Sequence, residues 1–479
     1  MRNAIPDSLD FATISELGQL LRSREISCKE LTEHFLDRLG NVGTKYNAVA
    51  CLLEKRAKKQ TGDVDDELKR GRFRSPLQGI PYAVKDLLSV AGYPTTWGAK
   101  PFANQVFDRD ARVVEKLDRS GAILIGKLAM VELAGGGDYD SAAASLQGPG
   151  LNPWNTALWS GGSSSGSGIA VSAGLVPYAL GSETSGSIIV PATYCGVTGL
   201  RPTYGLVSRR GAMALSWTCD KIGVLARSAD DCGIVLQHVA GADTEDPGSA
   251  QKGFHYSPQF HRKFADLRIG YHPIDFERWP DEAMRSGYAT ALNLVKSLGA
   301  EMVELKLPDL PYGLIIGTII DAEGASVFEE FIRGGQVDQL ADPTQINGLK
   351  ASLNYNALDY LKAMRIRSQV QAAFRDLFGL VDVLVSPSSF NLPERIDRSF
   401  DQQDKERPPR PSNKGVGADL IPASNLAGLP ALSIPCGFTN GLPMGLQFVG
   451  PPHTESTLLA FGRQFQALTD FHKRHPPAL

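Results

Sequence analysis

WSGGSSSGSG, residues 159–168, contains five serines and four glycines, which is the composition of a flexible linker. A linker would lead into a new folding unit, but this stretch continues into IAVSAGLVPYALGS, residues 169–182. That run is apolar, rich in small residues and free of charge, so it would be poorly soluble unless it were buried. We therefore predict that 159–168 is packed inside the protein and enters a buried helix, where glycines permit close backbone contacts and leave N–H groups available.

The regions on both sides of this block alternate between strand and helix patterns, which predicts an α/β fold. The predicted strands lie in GIPYAVKD (79–86), AILIG (122–126), LRIGYH (267–272), EMVELKLP (301–308), VDVLVSP (381–387), PALSIPCG (430–437) and MGLQFVG (444–450). The predicted helices lie in 31–39, 54–71, 111–121, 280–299, 356–379 and 454–469. Ser27 and Glu30 form a capping box before the first of these helices.

At 479 residues the chain is long for one hydrophobic core, and length alone suggests two or three units. Because the alternation continues across the Gly/Ser block, we expect a single large domain over 1–479. Within it we distinguish an N-terminal helical segment (1–75), a core block that contains the Gly/Ser-rich stretch (76–211) and a remaining α/β core with helical additions (212–479). The polar, Pro-containing segment near 399–415 is expected to be a mobile surface loop.

Composition and charge argue against several classes of function and partner. A net charge of −3 gives no electrostatic reason to expect nucleic acid or an anionic membrane as a partner. The N-terminal sequence has no apolar run of signal-peptide length, and no later segment approaches a membrane span. Six scattered cysteines predict free thiols and hence a cytoplasmic protein. No HExxH motif is present and the eight histidines form no ligand pattern, so we expect no metal.

Two short motifs are misleading. GSSSG at 162–166 fits G-x-S-x-G and would make Ser164 a hydrolase nucleophile, but the preceding NPWNTALWSG is a poor strand. GAILIGKL at 121–128 departs from a P-loop at Leu128, and we expect Lys127 to be a surface or strand-end lysine.

Three segments together form a specific pattern: GIPYAVKD (79–86), GGSSSGSG (161–168) and GSETSGSIIVPATYCGVTGLRPTYGLVS (181–208). They resemble the amidase signature family, which has a Gly/Ser-rich block with two catalytic serines after a lysine at the end of a strand. Further family-like segments are NPWN (152–155), the T-x-D-x-I-G run (218–223), VDVLVSP (381–387) and NLAGLPALSIPCGF (425–438). The resemblance implies a central mixed β-sheet covered by helices on both faces.

The resemblance also implies catalytic roles. The family's catalytic lysine falls on Lys85, its bridging serine, beside a cis peptide, on Ser163, and its nucleophile on Ser187. The oxyanion hole falls on the backbone N–H groups of Thr184, Ser185, Gly186 and Ser187. Gly136 and Gly137 fall where the family lines the acyl pocket with backbone groups.

The chemistry suits these residue types. A serine hydroxyl must lose its proton as it attacks, and no histidine lies between His34 and His238 to accept it. Lys85 lies in a largely apolar segment, where desolvation favours the neutral amine that can act as a base. Each residue has a structural alternative: Lys85 could be solvated and paired with Asp86, and the two serines could be turn or cap residues. Cys195 is a further nucleophile candidate, but its apolar setting favours an inert buried thiol.

Three positions depart from the family pattern. Ser185 replaces the usual glycine before Gly186, Ile189 replaces the usual arginine, and Glu183 replaces the usual aspartate. These departures leave in doubt which side chains support the loop that carries Ser187. They do not affect the three catalytic groups themselves.

We therefore predict an amidohydrolase that cleaves a carboxylic amide, or a related carbamate, of a small molecule and needs no cofactor. An apolar acyl or aryl group would fit if the pocket is lined by MALSW (213–217) and LPYGLIIG (310–317). Two alternatives stay open: a non-catalytic binding member of the family, or a glutamine-hydrolysing amidotransferase subunit. DAEGASVFEEFIRGG (321–335) does not resemble the segment in which the amidotransferase branch carries its basic glutamine-holding residue, which favours a free-standing hydrolase. The oligomeric state, monomer or homodimer, stays open.

Overall fold

The computed structural model describes residues 7–260, 262–277, 279, 281–407 and 415–477. The strands are β1 (Val49–Leu52), β2 (Pro81–Lys85), β3 (Ile123–Leu128), β4 (Leu151–Asn152), β5 (Asn155–Trp159), β6 (Tyr178–Glu183), β7 (Thr198–Arg201), β8 (Lys221–Ala226), β9 (Arg268–Tyr271), β10 (Glu301–Glu304), β11 (Val383–Pro387), β12 (Ala431–Thr439) and β13 (Leu442–Val449).

The α-helices are α1 (Ile14–Ser23), α2 (Cys28–Asn41), α3 (Glu54–Lys69), α4 (Arg112–Ser120), α5 (Ser165–Ser172), α6 (Ile189–Cys195), α7 (Ala229–Val239), α8 (Ile274–Glu277), α9 (Glu282–Ser297), α10 (Tyr312–Val327), α11 (Glu329–Arg333), α12 (Pro343–Ser352), α13 (Ala357–Leu380), α14 (Phe400–Glu406), α15 (Gly417–Leu426) and α16 (Glu455–Ala467).

Among the described residues, eleven strands form one mixed sheet in the order β1-β3-β2-β6-β8-β7-β12-β13-β11-β9-β10, and helices flank it. The predicted α/β fold with a central mixed sheet is confirmed. Strand β2 runs parallel to both β3 and β6, with Tyr82 opposite Tyr178. The carboxyl ends of β2 and β6 therefore meet at one edge of the sheet, where chain segments leave it and functional groups can gather.

The Gly/Ser block is not a linker. Residues 159–168 are all buried, and α5 begins within them. The helix needs small residues, because a Cβ added to Gly166 would lie 2.5 Å from the Ala48 carbonyl oxygen and 2.6 Å from the Ala129 nitrogen. The prediction of a packed, buried block is confirmed, and the low side-chain volume brings the helix against neighbouring backbone.

Three local structures differ from expectation. The 1–75 segment contains β1, an edge strand that pairs antiparallel with β3. NPWNTALWSG contains β5, which lies outside the main sheet, pairs with the two-residue strand β4 and forms an isolated antiparallel bridge between Leu158 and Arg395. Part of 399–415 is the helix α14: Ser399 caps it by accepting from the Gln402 N–H, and the Phe400 ring packs 4.8 Å from that of Trp159. The remaining stretch 408–414 lies outside the described residues.

No described helix is both long enough and apolar enough to cross a lipid bilayer.

Candidate active site

Lys85 is the last residue of β2 and its side chain is fully buried. Its Nζ donates to Ser163 Oγ at 2.7 Å and to Ser182 Oγ at 2.9 Å. The structure thus brings together two of the three residues predicted to be catalytic. It also adds Ser182, which lies in the motif segment 181–208 but to which sequence reasoning assigned no role.

The structural alternative in which Lys85 is solvated and paired with Asp86 is wrong. The Asp86 carboxylate lies 2.7 Å from Lys127 Nζ and also accepts from the Thr96 N–H at 3.0 Å. Lys127 is fully buried, so its expected position at the surface is also wrong, whereas the alternative expectation of a strand end is met because Lys127 is the penultimate residue of β3. Two adjacent strands therefore carry two buried lysines, of which Lys127 has a carboxylate within ion-pair distance.

Burial lowers the pKa of Lys85 to about 7, and the charges of Asp220 and Glu183 oppose this shift. Removing an ammonium group from water disfavours its charged form more than these carboxylates stabilise it. A substantial fraction of the amine is therefore neutral near pH 7, as a general base requires.

Ser163 is almost fully buried and follows a cis peptide bond after Gly162, as the family resemblance implies. Its carbonyl oxygen accepts from the Val131 N–H at 3.1 Å. A Cβ on Gly162 would lie 2.7 Å from the Trp159 ring and from Val131, so only glycine fits there.

Residues 184–187, here called the 184–187 loop, connect β6 to α6. Gly186 has a φ of +88°, a backbone conformation that favours glycine, and Ser187 retains 8% exposure. Among the described residues, the N–H groups of Ser185, Gly186 and Ser187 have no hydrogen-bond acceptor. An oxyanion hole requires backbone donors that are not already hydrogen-bonded, and this loop supplies three of them.

Glu183 supports this loop, which answers the doubt raised by its departure from the family pattern. Its carboxylate accepts from the N–H groups of Ile188 at 2.8 Å and Ile189 at 3.0 Å. It also pairs with Arg201 at 2.6 Å and accepts from Asn425 Nδ2 at 2.8 Å. Burial alone would raise the pKa of Glu183, but Arg201 and the hydrogen bonds lower it to about 2. Ile189 replaces the arginine that the family usually has near the nucleophile, but Arg201 of β7 places a guanidinium group on Glu183, directly before the loop.

Glu183→Gln is expected to lower the free energy of unfolding by about 3 kcal/mol or more, because it leaves the buried Arg201 charge uncompensated. The folded-state pKa lies below the ordinary 4.5, so the stabilisation is present above pH 4.5 and is lost as the pH falls toward about 2. Urea unfolding at pH 7 and at acidic pH measures both effects. Glu329→Gln, which breaks the exposed pair with Arg333, is the control and should change stability by less than about 0.5 kcal/mol. Equal effects of the two variants would contradict this account.

Gly136 and Gly137 lie against α12 and the cavity wall. A Cβ on Gly136 would lie 2.7 Å from Leu215, and the Gly136 carbonyl oxygen accepts from Gln345 Nε2 at 2.9 Å. Gly137 has a φ of +84°, and a Cβ there would lie 2.7 Å from the Leu349 nitrogen. Both positions therefore require glycine for close packing, Gly136 against Leu215 and Gly137 against α12.

A cavity of about 450 Å³ opens beside Ser182 and Thr184. Its apolar wall includes Met213, Leu215 and Trp217, as expected for the MALSW segment. The segment 310–317 does not line this cavity, so that part of the expectation is wrong: Ile315 and Ile316 instead belong to a second hydrophobic cluster with residues of α13 and α15.

The cations that line the cavity already have partners. Arg209 Nη2 donates to Asp246 at 2.8 Å, Arg210 Nη2 lies 2.6 Å from Glu115, and Lys221 Nζ donates to the Cys219 carbonyl oxygen. The two arginines are thus already ion-paired, and burial lowers the pKa of Lys221 to about 7, so none of the three cations in the described lining is a fully charged, unpaired partner for a substrate carboxylate.

The competing nucleophile candidates have structural contacts. Burial raises the pKa of the Cys195 thiol, which agrees with an inert group. Ser164 is fully buried and its hydroxyl donates to the Ser182 carbonyl oxygen at 3.1 Å. Across the described residues, no group of three or more His, Cys, Asp or Glu side chains is placed to hold a metal ion.

The family model Amidase matches residues 30–459. The chain is 35% identical to a glutamyl-tRNA(Gln) amidotransferase subunit of Desulforudis audaxviator over 97% of each chain. A solved chain from a vestigial protein complex, connected with the evolutionary origins of an s-triazine catabolic enzyme, has a TM-score of 0.85 at 30% identity, covering 95% of this chain and 98% of that one. The peptide amidase of Stenotrophomonas maltophilia has a TM-score of 0.83 at 27% identity, covering 98% of each chain. On this evidence of sequence and fold, the chain belongs to the amidase signature family, whose enzymes act on C–N bonds.

Proposed function

We propose that this protein hydrolyses the C–N bond of a carboxylic amide through an acyl-enzyme on Ser187, with Ser163 and neutral Lys85 as the proton relay. The observation that carries the proposal is the 2.7 Å hydrogen bond between Lys85 Nζ and Ser163 Oγ inside a fully buried site. A buried lysine held against a serine hydroxyl, and with a pKa of about 7, has the position and the basicity of a general base.

The reaction proceeds in two halves. The Lys85 amine takes the Ser163 proton, Ser163 takes the Ser187 proton, and the Ser187 oxygen attacks the amide carbon. The resulting oxyanion accepts hydrogen bonds from the 184–187 loop, where one donor typically contributes about 10²–10³ in rate. The C–N bond then breaks as the relay returns its proton to the leaving amine. Water enters, loses a proton to the same relay and attacks the acyl carbon, releasing the carboxylic acid and free Ser187.

Ser182 orients the base in this scheme. Its hydroxyl oxygen accepts from Lys85 Nζ at 2.9 Å, and Nζ also lies 3.5 Å from the Ser182 carbonyl oxygen. These contacts fix the direction of the amine while leaving its lone pair for Ser163 when it is neutral.

The names of the curated relatives favour one substrate, glutamine. The chain is 33–35% identical to glutamyl-tRNA(Gln) amidotransferase subunits from several bacteria, including one of Geobacillus stearothermophilus at 34% over 97% of this chain and 98% of that one. The comparisons thus support a glutamine-hydrolysing amidotransferase subunit better than a free-standing hydrolase.

The cavity favours a different substrate class, a neutral amide with an apolar acyl or aryl group. Met213, Leu215 and Trp217 supply an apolar wall, and the cavity's cations are already paired with the protein's own acceptors. A buried substrate carboxylate would lack a free cation there, which is costly. A carbamate offers the same electrophilic carbonyl and fits the same description.

A substrate panel decides between these candidates. We expect kcat/KM for the p-nitroanilide of a short fatty acid to exceed that for glutamine by at least about tenfold. An aryl carbamate ranks carbamate against amide, and ammonia release reports glutamine hydrolysis. Ser187→Ala supplies the background rate for each substrate. Faster hydrolysis of glutamine would assign the chain to the amidotransferase class, and no turnover by the folded protein would point to a non-catalytic member.

A further inference from the structure

Asp220 is the residue directly before β8, and its carboxylate contacts both of the loops that form the site. Its Oδ1 accepts from Thr184 Oγ1 at 2.6 Å, and Thr184 begins the 184–187 loop. Its Oδ2 accepts from the N–H groups of Leu215 at 2.9 Å and Ser216 at 3.0 Å. These two residues belong to the stretch 212–220, here called the 212–220 loop, which supplies the apolar wall of the cavity.

We propose that Asp220 is a positioning residue that holds the 184–187 loop and the 212–220 loop in one fixed arrangement, so that substrate binding and oxyanion stabilisation are set by a single carboxylate. This inference rests on the proposed function, because it concerns the same reaction. One oxygen of the carboxylate serves each loop, and a shift of either loop would break a hydrogen bond to an ionised acceptor, which is stronger than one between neutral groups.

A second carboxylate holds the 212–220 loop from the opposite side. Glu323 of α10 accepts from Ser216 Oγ at 2.6 Å, Thr218 Oγ1 at 2.8 Å and Tyr360 Oη at 2.8 Å. The 212–220 loop therefore stays attached to the helices when Asp220 is changed. The specific consequence of losing Asp220 then falls on Thr184 and the 184–187 loop.

Asp220 also acts on Lys85 through its charge. Among the described residues, the other charged group that acts on Lys85 is Glu183 of β6, which Arg201 of β7 neutralises. The Asp220 carboxylate favours the protonated form of Lys85, so removing its charge lowers the pKa of that lysine further. The neutral amine is the active form, so kcat/KM falls when acid protonates Lys85. This fall on the acidic side of the pH profile, here called the acid limb, then moves to lower pH.

Three variants separate these effects. In Asp220→Asn the amide oxygen can still accept from the two N–H groups, and Nδ2 can donate to Thr184, so the geometry is kept and only the charge is lost. We expect its acid limb of kcat/KM against pH to move down by about half a pH unit or more.

Thr184→Val removes the hydrogen bond between Asp220 and the 184–187 loop but keeps the charge of Asp220. Its kcat should fall about tenfold or more while KM and the acid limb stay close to those of the wild type.

Glu323→Gln is the matched control, because it weakens only the far side of the 212–220 loop. It should raise KM more than it lowers kcat, and its acid limb should not move. The proposal is overturned if Asp220→Asn leaves the acid limb in place, or if Thr184→Val keeps kcat within twofold of the wild type. If Asp220→Asn does not fold, the Thr184→Val result alone decides. A wild type that hydrolyses no amide refutes the proposed function instead.

Discussion

Ser187→Ala is expected to lower kcat/KM for amide hydrolysis by at least about 10⁴-fold while the chain stays folded, because it removes the atom that forms the acyl-enzyme. The loop does not depend on this hydroxyl for its structure, since Glu183 holds it through the N–H groups of Ile188 and Ile189. Steady-state hydrolysis of an anilide measures the loss, and far-UV circular dichroism verifies the fold.

Ser185→Ala is the control for that substitution, since it removes a hydroxyl two positions away in the same loop and keeps the backbone N–H. We expect its kcat/KM to stay within about tenfold of the wild type. Substantial activity in Ser187→Ala would identify another nucleophile and contradict the assignment.

Lys85→Met is expected to lower kcat/KM by at least about 10³-fold and also to stabilise the protein. The activity falls because no other described group hydrogen-bonds Ser163 Oγ and could take its proton. The stability rises because a neutral, apolar side chain of similar length replaces a buried amine. Anilide hydrolysis and denaturant unfolding of the two proteins measure the two effects.

The pH dependence of this stability gain has a definite sign. The pKa of Lys85 falls from an ordinary 10.5 to about 7 on folding, so between these values the unfolded chain binds more protons than the folded one. The wild type therefore gains stability as the pH rises from about 7 to 10.5. The full cost of burial, on the order of 5 kcal/mol, is present below pH 7. Lys85→Met removes this cost but also loses the two hydrogen bonds of Lys85 to serines, which offset part of the gain. We therefore expect the variant to be about 1–3 kcal/mol more stable than the wild type near pH 7. This advantage should disappear as the pH rises toward 10.5.

Lys127→Met is the matched control on the neighbouring strand. This lysine is equally buried, but its Nζ lies 2.7 Å from Asp86, so its loss leaves a buried carboxylate without its cation. We expect a destabilisation of about 3–5 kcal/mol, opposite in sign to the effect of Lys85→Met. A destabilisation of similar size in both variants would contradict the interpretation of Lys85 as a buried, largely uncompensated amine.

Sequence reasoning predicted the structure best for the Gly/Ser block and for the residues of the family pattern. The Gly/Ser block could be predicted to be buried, because its continuation at 169–182 has no charge. The family pattern placed Lys85 and Ser163, which are 78 positions apart, in one site, and the structure joins them by a hydrogen bond. Strand β2, which ends at Lys85, could be predicted from the mostly apolar residues 79–84 that precede this lysine.

The supporting contacts could not be predicted, because they join residues distant in the chain and no sequence pattern specifies which of these residues meet. Asn425 reaches Glu183 across 242 positions, and Glu323 reaches Ser216 across 107. The ion pair of Lys127 with Asp86 depends on the parallel register of β2 and β3, which a strand pattern does not specify. Likewise, α14 is polar in composition, and it is held by the Phe400 ring against Trp159 and by hydrogen bonds from its first residues to Asp140, which lies far earlier in the chain.

The most direct test of the central claim is the mass of the acyl-enzyme. The full chain is mixed with a p-nitrophenyl ester, quenched in acid within the first turnover and digested, and the peptides are sequenced by mass spectrometry. We predict one acyl group per chain, carried on Ser187, and its absence in Ser187→Ala. An adduct on Ser163, Ser164 or Cys195, or one that persists in Ser187→Ala, would contradict the account.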